Sequence, residues 1–169
     1  MAELSYTLKI NPELKDVLNN QAMQAGLEAV GQVLEGQIVT NIKTMKIVDT
    51  GRLKNSITYK TKTKQKGEGL DSSPADNEVL IGTNVKYAPY IEYGTPLHPV
   101  LVLDDPSKAK TEASRNLSLW AKRKGLKIRG WIMLGGPPKS FVRSALDQWR
   151  SKINDVFAAS YKKVLDSKK

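Results

Sequence analysis

The chain has no cysteine and a single histidine in its 169 residues. Disulfides, thiolate metal sites and cysteine nucleophiles are therefore excluded, and the absence fits a protein assembled inside a cell. His98 stands alone between two prolines in P-L-H-P, with no histidine at helical spacing to share a metal. No G-x-S-x-G turn exists to present a serine to it, and the glycines spell neither a P-loop nor a dinucleotide fingerprint. Asp104 and Asp105 read as a turn and a helix cap, and nothing selects a pair of carboxylates for acid–base work. The sequence therefore nominates no catalytic, metal or cofactor residue. The N-terminus lacks a charged segment followed by an apolar one, the pattern of a secretory leader. No apolar run approaches the roughly eighteen residues of a membrane span.

Positive charge is plentiful. The formal net charge is +10, and it is unevenly spread. Net charge by segment is −3 over 1–35, +6 over 36–70, −5 over 71–105, +8 over 106–140 and +4 over 141–169. Three readings fit these blocks: an ordinary solvated surface, a nucleic-acid footprint, or complementary faces on copies of one subunit. The nucleic-acid reading rests on Lys60, Lys62 and Lys64 along a strand and on Lys122, Arg123, Lys124, Lys127 and Arg129. Trp120 and Trp131 lie beside the second cluster, although Trp120 also falls on its helix's apolar stripe.

Apolar spacing predicts an α+β fold in one domain over 1–169: a small antiparallel sheet packed by a long N-terminal and a C-terminal helix. The first helix is expected over 12–45, capped by Asn11 and Pro12, with Gly26, Gly31 and Gly36 as places where it could kink or break. Its apolar stripe is wide enough to cover either the sheet or a neighbouring subunit. Residues 57–66 alternate β-branched or aromatic residues with lysines and predict a strand, followed by a flexible loop over 67–77 and a second strand at 78–83. An additional helix is expected near 106–124, with Asp105 as cap and Gly125 as stop, then a short strand at 131–136 and a final helix over 139–165.

The stretch K-Y-A-P-Y-I-E-Y-G-T (86–95) concentrates three of the six tyrosines. Pro89 suits the start of a short helical turn and Gly94 its end, with Tyr87, Tyr90 and Ile91 expected to pack inward. Glu92 is expected to pair with Arg52 of the D-T-G-R turn.

Three segments occur in order: V-D-T-G-R-L-K-N-S-I, then V-L-I-G-T followed by Y-A-P-Y-I-E-Y-G-T, then P-P-K-S-F-V-R-S-A-L. Together they resemble the small tail-completion or neck proteins, the head–tail joining proteins, of tailed bacteriophages and prophages. The segment L-S-L-W-A-K-R-K-G-L is similar to a tryptophan-bearing helix of longer members. K-S-F-V lacks the proline that the family pattern carries before its phenylalanine. The resemblance implies a non-enzymatic virion subunit, without cofactor, that is assembled in the host cytoplasm. It implies a ring of identical copies, expected to be six, bound to tail-tube, tail-terminator or head-closure proteins. A basic lumen could touch phage DNA; a tail-terminator role and a basic nucleic-acid-binding module are the alternatives. The motif residues carried over by the resemblance are Asp49, Thr50, Gly51, Arg52, Tyr87, Ala88, Glu92, Gly94, Thr95 and Phe141.

Overall fold

The computed structural model describes residues 4–9, 20–47, 50–65 and 70–167. The chain divides into two compact units, one from residues 1–93 and 139–169 and the other from 94–138.

The larger unit is built on helix α1, Asn20–Thr44. Met23, Leu27, Val30, Leu34, Ile38 and Ile42 recur at three- and four-residue steps, and all are buried. They meet a three-stranded antiparallel sheet of β1 (Leu4–Lys9), β3 (Glu78–Thr83) and β2 (Thr58–Lys60), in the order β1-β3-β2. Tyr59, Val79 and Ile81 close the core from the sheet. A short helix α2, Arg52–Ser56, adds Leu53, and helix α3 spans Ala88–Tyr93. Helices α5 (Phe141–Trp149) and α6 (Ile153–Asp166) pack along α1, with Phe141, Val142 and Ala145 fully buried.

Helix α1 runs unbroken through its glycines between residues 20 and 44. Two of them make room for neighbours. A methyl group on Gly26 would meet the Phe157 ring at 2.5 Å, and one on Gly31 the Tyr59 ring at 2.6 Å. Nothing lies within 4 Å of the corresponding point on Gly36. The expected helix start at Asn11–Pro12 lies outside the described residues.

Three expectations need correction. The strand read over 57–66 stops at Lys60. Thr61 folds the chain back: its N–H donates to the Lys64 carbonyl at 2.8 Å, and its Oγ1 accepts from the Lys64 N–H at 3.2 Å. A threonine hydroxyl offers the backbone an alternative to the ladder, and here that alternative wins. The single helix read over 139–165 is two, broken at 150–152, where the Lys152 N–H reaches the Trp149 carbonyl at 2.8 Å. The helix read from Pro106 begins later. Asp105 caps only a 3₁₀ turn, Pro106–Lys108, by accepting from the Ser107 N–H and hydroxyl. These two bonds hold the Asp105 carboxyl below its ordinary value.

In the smaller unit, strands β4 (Thr95–Val102) and β5 (Gly130–Gly136) form an antiparallel ribbon. Helix α4, Glu112–Arg123, starts from Thr111, whose hydroxyl accepts the Ser114 N–H at 3.1 Å. It turns Ser114, Ser118 and Ala121 inward. Ser114 donates to the Leu101 carbonyl at 2.5 Å, and Ser118 accepts from the Leu103 N–H at 2.9 Å, fixing the helix to β4. Trp120, expected on the apolar stripe of this helix, is only half-buried, as is Leu117, and Ala113 is exposed.

Candidate functional site

Strand β1 and helix α5 converge on one buried carboxylate of α3. Glu92, on α3, is completely buried, and its side chain points at the first turn of α5. The Val142 N–H donates to Oε2 at 2.9 Å and the Arg143 N–H to Oε1 at 3.0 Å. The Tyr6 hydroxyl on β1 donates to Oε1 at 3.2 Å. The cause lies in local sequence. Ser140, at the N-cap position of α5, adopts a left-handed conformation (φ 41°) and makes no side-chain cap bond. Two of the helix's orphan N–H groups are satisfied by a glutamate about fifty residues upstream. A carboxylate is suited to the task, because the positive end of the helix dipole favours negative charge there.

Glu92 does not pair with Arg52, which is exposed. Its cationic partner is Arg143, with Nε 3.4 Å from Oε1 and the guanidinium 5.2 Å from the Tyr93 ring centre. Geometry decides between the two: Arg143 carries one of the two N–H groups already bound to Glu92. Tyr6 also shares a 3.1 Å hydrogen bond with the Tyr93 hydroxyl. Burial, that bond and the nearby Glu92 charge push the Tyr6 phenol well above its ordinary value.

The tyrosines of the 86–95 stretch do not pack inward. Tyr87, Tyr90 and Tyr93 are 41, 62 and 54% exposed, whereas Ala88 and Glu92 are the buried residues of α3. The helix turns its two small or hydrogen-bonded residues to the core and leaves its aromatic rings outside. Ile91 is half-buried against the core. Gly94 ends the helix with φ 78°, a conformation that glycine adopts without strain. Thr95 then opens β4 opposite Gly136. The main chain closes the same junction: the Lys139 N–H donates to the Ile91 carbonyl at 2.9 Å and the Ser140 N–H to the Glu92 carbonyl at 3.2 Å.

Asp49 lies outside the described residues. Thr50 and Arg52 are exposed, and Gly51 (φ 80°) leads into α2, its carbonyl accepting the Asn55 N–H at 2.9 Å. Phe141 is fully buried. The structure thus gathers Ala88, Glu92 and Phe141 into the core of the larger unit and leaves Thr50, Arg52 and Tyr87 at its surface. Sequence reasoning missed Tyr6 and Arg143. Neither carries a local signal, since each acts on Glu92 across the fold.

The lysine row dissolves. Only Lys60 lies on the strand; Lys62 pairs with Asp76, and Lys64 with Glu28 at 3.0 Å, which raises the Lys64 value. The acidic block 71–105 is largely engaged within the chain. Glu78 binds Lys9 at 2.8 Å, Asp104 lies 3.5 Å from Arg129, and Asp76, Glu92 and Asp105 have the partners already named. Lys122, Arg123, Lys124, Lys127 and Arg129 are all exposed in the smaller unit.

The ribbon of that unit has two unlike faces. Val100 and Val102 are buried, whereas Leu97, Trp131 and Met133 are 70, 70 and 60% exposed, with Pro99 exposed opposite Met133. No group of three metal-binding side chains occurs among the described residues, and no helix among them is long and apolar enough to cross a membrane. His98 is exposed and hydrogen-bonded through Nδ1 to the Pro96 carbonyl.

No curated protein and no solved structure matches the chain. A family model does match, over residues 9–94, a span that ends at the glycine closing α3 and holds Glu92 and the D-T-G-R turn. With half of its length matched, the chain belongs to the HK97-gp10-like family, described as "Bacteriophage HK97-gp10, putative tail-component", and is a structural component of the phage tail or neck type.

Proposed function

We propose that this chain is a head–tail joining subunit, of the neck or tail-completion kind, that acts by forming a ring and binding its neighbours in the virion. Six copies are the expected number, and tail-tube, tail-terminator or head-closure proteins are the expected partners. Assembly takes place in the cytoplasm of the bacterial host. The observation that carries this reading beyond family membership is the exposed face of the ribbon, where Leu97, Pro99, Trp131 and Met133 lie together. These side chains expose on the order of 400 Å² of apolar surface, the size of patch that marks an interaction site on a soluble chain. The role needs no catalytic group, only adhesive surfaces.

Native mass measurement and negative-stain imaging, alone and with candidate tail and connector proteins, test this. Closed rings that join tails or connectors are expected. A chain that stays monomeric at high concentration and binds no virion part overturns the reading.

A second reading, contact with DNA, is favoured by one observation. The smaller unit holds eight cations against three acids, and two of those acids are already engaged. Affinity for duplex DNA that falls steeply with salt is its signature. Undetectable binding at low salt removes it.

A further inference from the structure

The two sheets have four outer edges, and an open edge invites another strand. Two edges are blunted. Strand β2 is three residues long, and the chain folds back beside it through a bridge between Lys60 and Gln65. Strand β4 carries Pro96, Pro99 and a register shift between Thr95 and His98.

The other two edges have none of these devices. Strand β1, L-S-Y-T-L-K, has no proline and no bulge, and its one lysine is drawn to Glu78. Strand β5, G-W-I-M-L-G-G, has no proline and no charged residue. Among the described residues β1 pairs only with β3, and β5 only with β4.

We propose that the outer edge of β5 in one copy adds to the outer edge of β1 in the next. The inference rests on the ring reading above and names the contact that makes the ring. The two strands match in length, seven residues against six. Their faces match as well. On β1, Tyr6 and Leu8 are half-buried on the core side, and Ser5, Thr7 and Lys9 are exposed on the other. Setting Trp131 and Met133 beside Tyr6 and Leu8 brings the ribbon's exposed apolar face into line with the core side of β1, so that their side chains pack against each other. No like charges meet, because β5 has none and Lys9 is neutralised.

A second copy is favoured over a foreign strand by counting edges. A foreign strand covers β1 or β5 and leaves the other open. One contact between copies covers both, at every subunit. Because the two edges differ, the contact is heterologous and repeats head to tail, as a closed ring requires.

The absence of cysteine makes a clean test. One cysteine is placed at position 5, 6, 7 or 8 and one at 131, 132, 133 or 134 of the same chain, and the folded proteins are oxidised. Facing residues on paired antiparallel strands lie about 4.5–5.5 Å apart at Cα, within disulfide reach. Disulfide ladders that end at the ring size are expected from pairs on one face: Tyr6→Cys or Leu8→Cys with Trp131→Cys or Met133→Cys, and Ser5→Cys or Thr7→Cys with Ile132→Cys or Leu134→Cys. Mixed pairs, such as Thr7→Cys with Met133→Cys, should give none. Met133→Lys, at an exposed position that leaves the subunit folded, should weaken assembly at least tenfold. Rings that form without any face-specific ladder overturn the strand pairing and leave the ring reading intact. A strict monomer overturns both.

Discussion

Replacing Glu92 with glutamine should unfold the larger unit early, because the amide cannot do what the carboxylate does. The carboxylate accepts three well-formed bonds, from the Val142 and Arg143 N–H groups and from the Tyr6 hydroxyl. Glutamine keeps one accepting oxygen and turns an NH₂ toward donors. At least one helix N–H is then buried without a partner, at about 1–3 kcal/mol. The lost interaction between the negative charge and the helix start adds about 1–2 kcal/mol. The Arg143 side chain is 47% exposed and its contact is long, so it contributes less than about 1 kcal/mol. The sum is about 3 kcal/mol, or roughly 6–12 °C in melting temperature for a chain of this length. Urea unfolding followed by Trp149 fluorescence, in a background with Trp120→Phe and Trp131→Phe, reads this directly. Trp149 sits at the end of α5, its Nε1–H bonded to Gln37 at 3.1 Å. A loss below about 0.5 kcal/mol for Glu92→Gln, with a larger loss for Arg143→Met, would refute the reasoning. Neither the buried cap nor its ion pair with Arg143 would then be stabilising, and Arg143 would act through its contacts with Ser140 and the Tyr93 ring.

The glycines of α1 should respond in opposite directions. Gly26→Ala and Gly31→Ala drive a methyl group into Phe157 and Tyr59 and should each cost about 1–3 kcal/mol, whereas Gly36→Ala should gain about 0.5–1 kcal/mol in the same urea assay. Alkaline stability should depend on Tyr6. Its value is raised above the ordinary 10.0, so the stability it lends is complete below pH 10 and drains away as pH climbs further. Tyr6→Phe should flatten that part of a stability–pH profile. On the acid side Glu78 is lowered from 4.5, first by its bond to Lys9 and then by the Ala75 N–H. Its contribution is complete above pH 4.5 and is lost as pH falls through the lowered value. Lys9→Met should shrink that loss, measured by thermal melts between pH 3 and 6.

Elements whose information is local were legible in the sequence. Strand β3 was readable to the residue, because V-L-I is an apolar run bounded by Asn77 and Gly82. The α1 stripe and the stops at Gly94 and Gly125 were readable for the same reason. What escaped depends on distant partners. Strand β1 alternates Leu4, Tyr6 and Leu8, yet its mate β3 lies at the far end of the family motif. The glutamate of E-Y-G-T was visible as the one charged group in its turn. The identity of its partner was not, because an arginine in a motif and one in an unremarkable helix look alike until the fold brings one of them near. The break between α5 and α6 was hidden too, since an apolar stripe in good register continues straight across it.

The paired main-chain bonds between residues 91–92 and 139–140 make the smaller unit a loop-like insertion whose two ends leave the larger unit side by side. A segment attached in this way can be shortened without rewiring its host, because the two main-chain bonds at the base lie within the larger unit. The family match stops at residue 94, where that segment begins. The matched span then covers the larger unit as far as α3, and residues 95–138 lie beyond it. Replacing 94–138 with a short glycine turn should leave a folded host, its circular dichroism and cooperative melting retained, that has lost the ability to assemble.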